Sequence, residues 1–222
     1  DTVSQLIASS LSLQLAVAGL IIGIIIIAIV YTKFSRWVKS QKMNHTKGNT
    51  DSTIILIGMM GAGKTTIGKS LANHLDKTFI DSDHEIQKRT GVKIPIIFEI
   101  EGEAGFRKRE TDMLRELLKI DNIVLATGGG IIINEENRKL IKEKGTIIYL
   151  RATVNDLLHR TRHDKNRPLL QTTDPQAKLT DLYDQRDPIY CEAAHIVVES
   201  GNLSVHQMVK YLTQKLDNLT LK

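Results

Sequence analysis

The glycine-rich stretch GMMGAGKTT, residues 58–66, constrains the fold of this chain more than any other feature. It follows the apolar run TIILI and precedes IGKSLANHL, whose apolar residues recur at helical spacing. A G-x-x-x-x-G-K-[ST] pattern between a strand and a helix is typical of a loop whose backbone N–H groups surround phosphates. In such a loop the lysine reaches the β- and γ-phosphates and the following hydroxyl binds Mg²⁺. The stretch therefore predicts a nucleoside triphosphate site built around Lys64 and Thr65, the alternative being a tight turn with a solvated lysine.

The chain from residue 53 onward alternates between two kinds of pattern, which predicts an α/β fold. Short apolar runs occupy residues 53–57, 78–80, 122–126, 146–150 and 195–198. Helical patterns lie between and after them, at residues 64–75, 103–119, 134–142, 153–160, 176–186 and 203–217. Such alternation is typical of a parallel sheet with helices on both faces. We expect a three-layer sandwich with a five-stranded parallel sheet, in one domain over residues 53–222.

The first 52 residues have a different composition. Residues 15–30, LAVAGLIIGIIIIAIV, are all apolar, and a helix over residues 11–31 would span roughly 30 Å, the thickness of a bilayer core. Basic residues follow it in KFSRWVKSQK, an order that favours an uncleaved membrane anchor with its C-terminal side in the cytoplasm. We therefore expect an anchor and basic flank at 1–42 and a polar linker at 43–52, which place the rest of the chain in the cytoplasm. A buried strand, a stretch translated from an upstream reading frame, and a true start at Met43 are the alternatives.

Charge and cysteine content exclude some kinds of partner. The net charge is +5, and residues 1–42 carry +3 of it, which leaves too little on the remaining residues to predict nucleic-acid binding. Cys191 is the only cysteine, so an intrachain disulfide and a cysteine metal cluster are excluded. We expect Cys191 to be a buried small hydrophobic residue.

Two aspartates follow the second apolar run, in FIDSDHEI. Ligands of open α/β sheets bind at the carboxyl ends of strands, which makes Asp81 and Asp83 candidates for a site. Residues two apart on a strand point the same way, so one carboxylate can serve a metal and the other a phosphate acceptor. The alternative is a pair of solvated aspartates that cap a helix.

A run of three glycines ends another strand, in LATGGG at residues 125–130. Consecutive glycines leave backbone amides accessible to a polar ligand, whereas the alternative is a loose turn. Arginines occur in EGEAGFRKRE, RTRHDKNRPLL and LYDQRDPIY. By composition alone these arginines would be solvated surface residues.

Together these motifs resemble those of the shikimate kinases, in the nucleoside-monophosphate-kinase-like group of P-loop enzymes. The resemblance runs from about Ile54 to Leu216 and rests on six stretches in the family's order. These are GMMGAGKTTIGKSLA, DSDHEIQKRTG, IFEIEGEAGFRKRE, LATGGG, RTRHDKNRPLL and LYDQRDPIY. Gln87 stands where relatives commonly have Glu, and residues 199–206 lack the Arg and Pro that some relatives place against adenine, so we assign no nucleotide contact there.

The resemblance implies ATP-dependent phosphorylation of the 3-hydroxyl of shikimate, a step of aromatic amino-acid biosynthesis, by a monomeric domain with a mobile lid over 160–170. It implies a catalytic set of Lys64, Asp83 and Arg167. It implies nucleotide binding by Gly61, Ala62, Gly63, Lys64, Thr65, Thr66, Arg160 and Arg167. It implies shikimate binding by Asp83, Arg107, Gly129, Gly130, Arg186, Phe98 and Phe106, and Mg²⁺ binding by Thr65 and by Asp81 through water.

Two other functions stay open at this point. One is a related small-molecule kinase, for gluconate or a nucleoside monophosphate. A neutral polyol does not require two arginines that bind a carboxylate, and no pocket for an acceptor base is evident. The other is a membrane-anchored sensor that binds shikimate without turnover.

Overall fold

The structure is a computed structural model that describes residues 53–164, 166–201 and 203–220. The predicted anchor at residues 11–31, its basic flank and the linker at 43–52 lie outside the described residues. Within the described ranges, no helix combines the length and the apolar composition that crossing a bilayer requires.

Five strands form one parallel sheet, as the alternating pattern predicts. They are β1 (Thr53–Ile57), β2 (Thr78–Asp81), β3 (Ile123–Ala126), β4 (Gly145–Arg151) and β5 (Ile196–Glu199). Their order in the sheet is β2-β3-β1-β4-β5, and each neighbouring pair is parallel. All five residues of β1 are buried because it is the central strand and both of its faces are covered.

Seven α-helices connect and follow the strands within the described residues. They are α1 (Lys64–His74), α2 (Ser82–Thr90), α3 (Ile94–Leu117), α4 (Glu135–Lys144), α5 (Val154–Thr161), α6 (Pro175–Ala193) and α7 (Val205–Thr220). Short 3₁₀ turns lie at Ile131–Ile133 and Pro168–Leu170. α1 packs against β2, β3 and α7, whereas α4 and α6 pack against β4, so that helices cover both faces of the sheet.

The helical pattern at residues 103–119 identified only the second half of α3. This helix begins at Ile94, and Gly102 interrupts it with φ 69° and ψ −179°, outside the helical region. The interruption divides α3 into a segment that carries Phe98 and a segment that carries Arg107. α2 was not predicted at all, because Ile86 is the only buried apolar residue in a helix that is otherwise polar.

The carboxyl ends of β1, β2 and β3 meet at one edge of the sheet. The glycine-rich loop follows β1, the two aspartates follow or end β2, and the three glycines follow β3. Three motifs that are far apart in sequence are therefore adjacent in the fold.

Candidate active site

The loop after β1 has the backbone conformation that an anion-binding loop requires. Gly61 and Gly63 have φ values of 81° and 93°, in the left-handed region that glycine adopts at little cost. Gly63 is the N-cap of α1, and no side chain caps that helix. The first N–H groups of α1 and its partial positive charge are therefore available to a phosphate.

Lys64 is folded back over this loop. Its Nζ donates hydrogen bonds to the carbonyl oxygens of Gly58 at 2.7 Å and Met59 at 2.9 Å. Burial and the nearby Arg167 guanidinium lower the pKa of Lys64 to about 8. The ammonium group is thus held where phosphates would lie and has lost much of its hydration, so an anion would bind it strongly.

Thr65 and Asp81 bring two hard oxygen ligands together. The Thr65 Oγ1 hydroxyl donates to Asp81 Oδ2 at 2.8 Å. Asp81 is also the N-cap of α2, and its Oδ1 accepts from the backbone N–H of Asp83 at 3.1 Å and of His84 at 3.3 Å. Asp81 therefore caps a helix, which was the alternative interpretation of the sequence, and it also contacts Thr65.

Asp83 does not lie on β2, although its spacing of two residues from Asp81 predicts that both side chains point the same way from one strand. β2 ends at Asp81, and Asp83 lies in the first turn of α2 because Asp81 caps the helix there. Asp83 Oδ2 lies 3.9 Å from Arg167 Nη1, and its buried Oδ1 has no hydrogen-bond partner among the described residues. Burial and then the Asp81 charge raise the pKa of the Asp83 carboxyl.

A cavity of about 810 Å³ lies in front of the glycine-rich loop. This volume falls within the range of about 300–1,000 Å³ that is typical of ligand pockets. One wall is the segment of residues 160–170, whose Arg167 is held by Asp164 Oδ2 at 2.9 Å from its Nε. Arg160 begins this segment and donates to the carbonyl oxygens of Gly61 and Ser200, both at 3.2 Å.

A smaller pocket adjoins this cavity, and Asp83, Gly129 and Arg167 line both. Its apolar wall is the pair Phe98 and Phe106, whose ring centroids are 4.9 Å apart. Leu169 of the 160–170 segment and Ile94 also line it. The two pockets are therefore joined at Asp83.

Arg107 enters the smaller pocket from α3 and is held by two glutamates. Its Nη1 donates to Glu110 Oε2 and its Nη2 to Glu103 Oε1, both at 2.8 Å. A Cβ atom on Gly130 would lie 2.1 Å from Arg107 Nη1, so the guanidinium has room only because Gly130 has no side chain. This close approach fixes Arg107 against the three-glycine loop.

Glu110 is a buried carboxyl that the sequence analysis did not assign. Its side chain is 1% exposed, and its Oε1 has no partner among the described residues. Burial raises the pKa of Glu110 to about 7, against the opposing effect of Arg107. Its position three residues after Arg107 allows the contact on a helix, and its spacing of four residues from both Phe106 and Leu114 is the signal in the sequence that places it on the buried face of α3.

Arg186 enters the smaller pocket from α6. The residue is 3% exposed, and its Nη1 donates to the Gly129 carbonyl oxygen at 3.4 Å. Burial lowers the pKa of its guanidinium, and the charge of Arg107 adds to this effect. Two arginines in one small pocket are the arrangement that binds a carboxylate by paired hydrogen bonds.

Comparison with known proteins agrees with this geometry. A model of the shikimate kinase family matches residues 60–217. The chain belongs to the shikimate kinase family. Shikimate kinases from Nitrosospira multiformis and Nitrosomonas europaea are 63% and 60% identical to it, over 73% and 78% of this chain and 84% and 82% of theirs. The solved structure of a shikimate kinase from Acinetobacter baumannii in complex with shikimate is 46% identical, with a TM-score of 0.76 over 82% of this chain and 99% of that chain.

The structure places the predicted shikimate kinase residues at the two pockets, with one exception. The larger cavity is lined by Gly61, Gly63, Lys64, Thr65, Thr66, Asp81, Asp83, Arg160 and Arg167. The smaller pocket is lined by Asp83, Phe98, Phe106, Arg107, Gly129, Gly130, Arg167 and Arg186. Ala62 lines neither, because it is buried and its N–H donates to the Met59 carbonyl at 3.2 Å. The roles of these residues stay predictions.

Two further residues differ from what the sequence indicated. Ser82 was not considered, yet its Oγ accepts from the Gly128 N–H at 3.0 Å and so joins α2 to the three-glycine loop. Cys191 was expected to be buried but is exposed. It lies on α6 next to Tyr190, and adjacent helix residues point in directions about 100° apart, so the burial of Tyr190 does not extend to it.

Proposed function

We propose that this chain catalyses ATP-dependent phosphorylation of the 3-hydroxyl of shikimate, giving shikimate 3-phosphate and ADP in aromatic amino-acid and chorismate biosynthesis. The observation that carries the proposal is the position of Asp83 between two different pockets. On one side lie the glycine-rich loop, Lys64 and Arg167, which suit phosphates. On the other lie Arg107 and Arg186, which suit a carboxylate attached to a small ring.

In this proposal Asp83 binds the hydroxyl that is phosphorylated. Its Oδ2, the oxygen that lies 3.9 Å from Arg167 Nη1, would accept the hydrogen bond from that hydroxyl. The raised pKa of the Asp83 carboxyl makes it a better base for the proton that the hydroxyl loses as its oxygen bonds to the γ-phosphorus. ADP leaves on the opposite side of that phosphorus, towards the loop.

Lys64, Arg167 and the N–H groups at the start of α1 would stabilise the charge on the transferred phosphoryl group. Phosphoryl transfer depends mainly on in-line positioning and on such electrostatic stabilisation. Arg167 lies 3.9 Å from Asp83, so it can contact both the phosphoryl group and its acceptor. Arg160, which lines the larger cavity, would lie against the adenine ring.

Mg²⁺ fits the pair formed by Thr65 and Asp81. A hydroxyl and a carboxylate oxygen 2.8 Å apart are the hard oxygen ligands that this ion prefers, with water completing its coordination. When bound there, the ion would neutralise part of the charge on the β- and γ-phosphates.

The segment of residues 160–170 is proposed to act as a lid. It contributes Asp164, Asn166 and Arg167 to the larger cavity and Pro168 and Leu169 to the smaller one. Closure of this segment would exclude water, which otherwise competes with shikimate as the acceptor.

The function is tested by measuring ADP release from ATP with Mg²⁺ and a panel of acceptors. We expect turnover with shikimate and little with quinate, gluconate or nucleoside monophosphates. Turnover of gluconate or a nucleoside monophosphate in preference to shikimate would contradict the proposal. Binding of ATP and shikimate without any ADP release would identify a sensor instead.

The lowered pKa of Lys64 predicts how ATP use depends on pH. The ammonium group is charged below its pKa of about 8 and neutral above it, and only the charged form attracts phosphates. We therefore expect kcat/KM for ATP to fall about tenfold per pH unit above about pH 8, since this parameter reports the free enzyme. In the Lys64→Arg variant, activity should be lower but should not fall over the same range, because guanidinium keeps its proton. If kcat/KM for ATP falls over the same pH range in Lys64→Arg as in the wild type, the group that titrates is not Lys64.

We also propose that the shikimate kinase domain comprises residues 53–222 and is attached by the 43–52 linker to a membrane anchor at 11–31. The proposal rests on the apolar run and on the basic residues that follow it. Native protein should sediment with membranes and resist extraction by high salt. Recovery in the cytosolic fraction would contradict the anchor and would leave the proposed kinase activity untouched.

A further inference from the structure

Two side chains of α6 converge on one backbone carbonyl in the smaller pocket. Arg186 and Tyr190 are one helical turn apart, so they lie on the same face of α6. The Tyr190 hydroxyl donates a hydrogen bond to the Gly129 carbonyl oxygen. Arg186 Nη1 donates to the same oxygen from 3.4 Å, at the limit of a hydrogen bond. Tyr190 is therefore the stronger of the two partners of this carbonyl.

The orientation of that carbonyl determines where the next amide points. The Gly129 C=O and the Gly130 N–H belong to one planar trans peptide, in which these two groups point in opposite directions. Because the carbonyl is directed at Tyr190, the Gly130 N–H is directed away from α6. Gly130 lines the smaller pocket, and its N–H has no partner among the described residues. The amide is therefore available to a ligand in that pocket.

We propose that Tyr190 is a positioning residue for the acceptor substrate, an inference that rests on the proposed function. Its hydroxyl holds the Gly129 carbonyl, which directs the Gly130 N–H towards the acceptor. It also makes the 3.4 Å contact from Arg186 to that carbonyl dispensable, so the guanidinium can turn to the carboxylate of the acceptor. Without the hydroxyl, Gly129 would retain only Arg186, and that contact would compete with the substrate.

Tyr190 is itself held firmly in this position. It is fully buried, and its ring stacks on that of Tyr149 at a centroid distance of 4.7 Å and an interplanar angle of 24°. The Tyr149 hydroxyl donates to Asp187 Oδ1 at 2.7 Å, and Arg151 binds the two oxygens of Asp187 at 2.9 and 2.7 Å. Burial raises the pKa of Tyr190 well above its usual range, so the hydroxyl remains a donor throughout the working pH range.

The stacked pair offers a matched control. Tyr190→Phe and Tyr149→Phe each remove one hydroxyl from the same stacked pair, but only the Tyr190 hydroxyl contacts the three-glycine loop. In the full-length protein, we expect Tyr190→Phe to raise KM for shikimate about tenfold, with KM for ATP unchanged. Tyr149→Phe should leave both KM values unchanged, while it should lower the melting temperature about as much as Tyr190→Phe does.

A second measurement separates the role of Arg186 from general damage. In an Arg186→Ala background, Tyr190→Phe should raise KM for shikimate less than it does alone, because part of its effect acts through Arg186. The comparison is between the effect of Tyr190→Phe on KM in the wild-type protein and its effect in the Arg186→Ala variant. A loss of stability that Tyr190→Phe causes in both proteins therefore cancels.

The outcomes distinguish this inference from the proposed function. Absence of wild-type activity with shikimate would contradict the proposed function. If wild-type activity is normal, two results would overturn the role of Tyr190. One is an unchanged KM for shikimate in the Tyr190→Phe variant, and the other is an equal rise in KM for ATP and for shikimate in that variant. An equal rise in KM for shikimate in Tyr149→Phe would also overturn it, since the effect would then be structural.

Discussion

The Lys64→Ala variant should retain its fold and its shikimate binding but lose about a thousandfold in kcat, the scale of effect seen when one preorganised donor to a transition state is removed. Lys64 donates hydrogen bonds to the carbonyl oxygens of Gly58 and Met59, and the Asp83 carboxyl keeps Arg167 at 3.9 Å when the lysine is removed, so the fold should tolerate the substitution. Its ammonium group lies at the site predicted for the β- and γ-phosphates, where charge develops during transfer. Steady-state ADP release at saturating ATP and shikimate measures the effect.

A lysine on the same helix provides the control. Lys69 lies five residues further along α1, lines the same cavity, and has its Nζ 5.9 Å from the centre of the Phe79 ring. Lys69→Ala removes the same charge from the same helix at a greater distance from the loop, so kcat should change less than threefold or so. A comparable loss of kcat in both variants would show that the net charge of the cavity matters and that the position of Lys64 does not.

Much of this site could be predicted from the sequence because it depends on local patterns. The glycine spacing at residues 58–66 defines a strand, a loop and a helix at once, and the five apolar runs define the strands of the sheet. Parallel strands then bring the ends of β1, β2 and β3 to one edge, without further information. The order of the sheet depends on tertiary packing, and the alternation of patterns alone did not specify it.

The parts that were missed depend on contacts between distant segments. Asp83 was placed on a strand because its spacing from Asp81 suggested one, but Asp81 caps α2 and ends the strand two residues earlier. Glu110 and Tyr190 were missed because each acquires its role by burial against another element. Helical spacing from Phe106 and Leu114 places Glu110 on the buried face of its helix, and spacing from Ala193 does the same for Tyr190, but that pattern does not indicate which groups they contact.

The Arg107→Ala variant should raise KM for shikimate by about 30-fold, with a much smaller change in KM for ATP. Loss of hydrogen bonds to a charged group is worth about 1.5–3 kcal/mol, which corresponds to roughly 10- to 150-fold in binding. The carboxylate of shikimate takes no part in phosphoryl transfer, so its binding energy is shared by the ground and transition states. Such a loss appears mainly in KM, and kcat should fall little.

The same substitution also removes the cation beside Glu110, so its effect on the substrate must be separated from its effect on that carboxyl. Glu110 already has a pKa of about 7, and without Arg107 burial would raise this pKa further and keep the carboxyl protonated. The Arg107→Ala/Glu110→Gln double variant should therefore show the same raised KM for shikimate. Arg115→Ala, which removes an exposed arginine from the same helix, is the control for loss of charge and should leave KM unchanged. An unchanged KM in Arg107→Ala, or a normal KM in the double variant, would mean that Arg107 stabilises Glu110 and does not bind the substrate carboxylate.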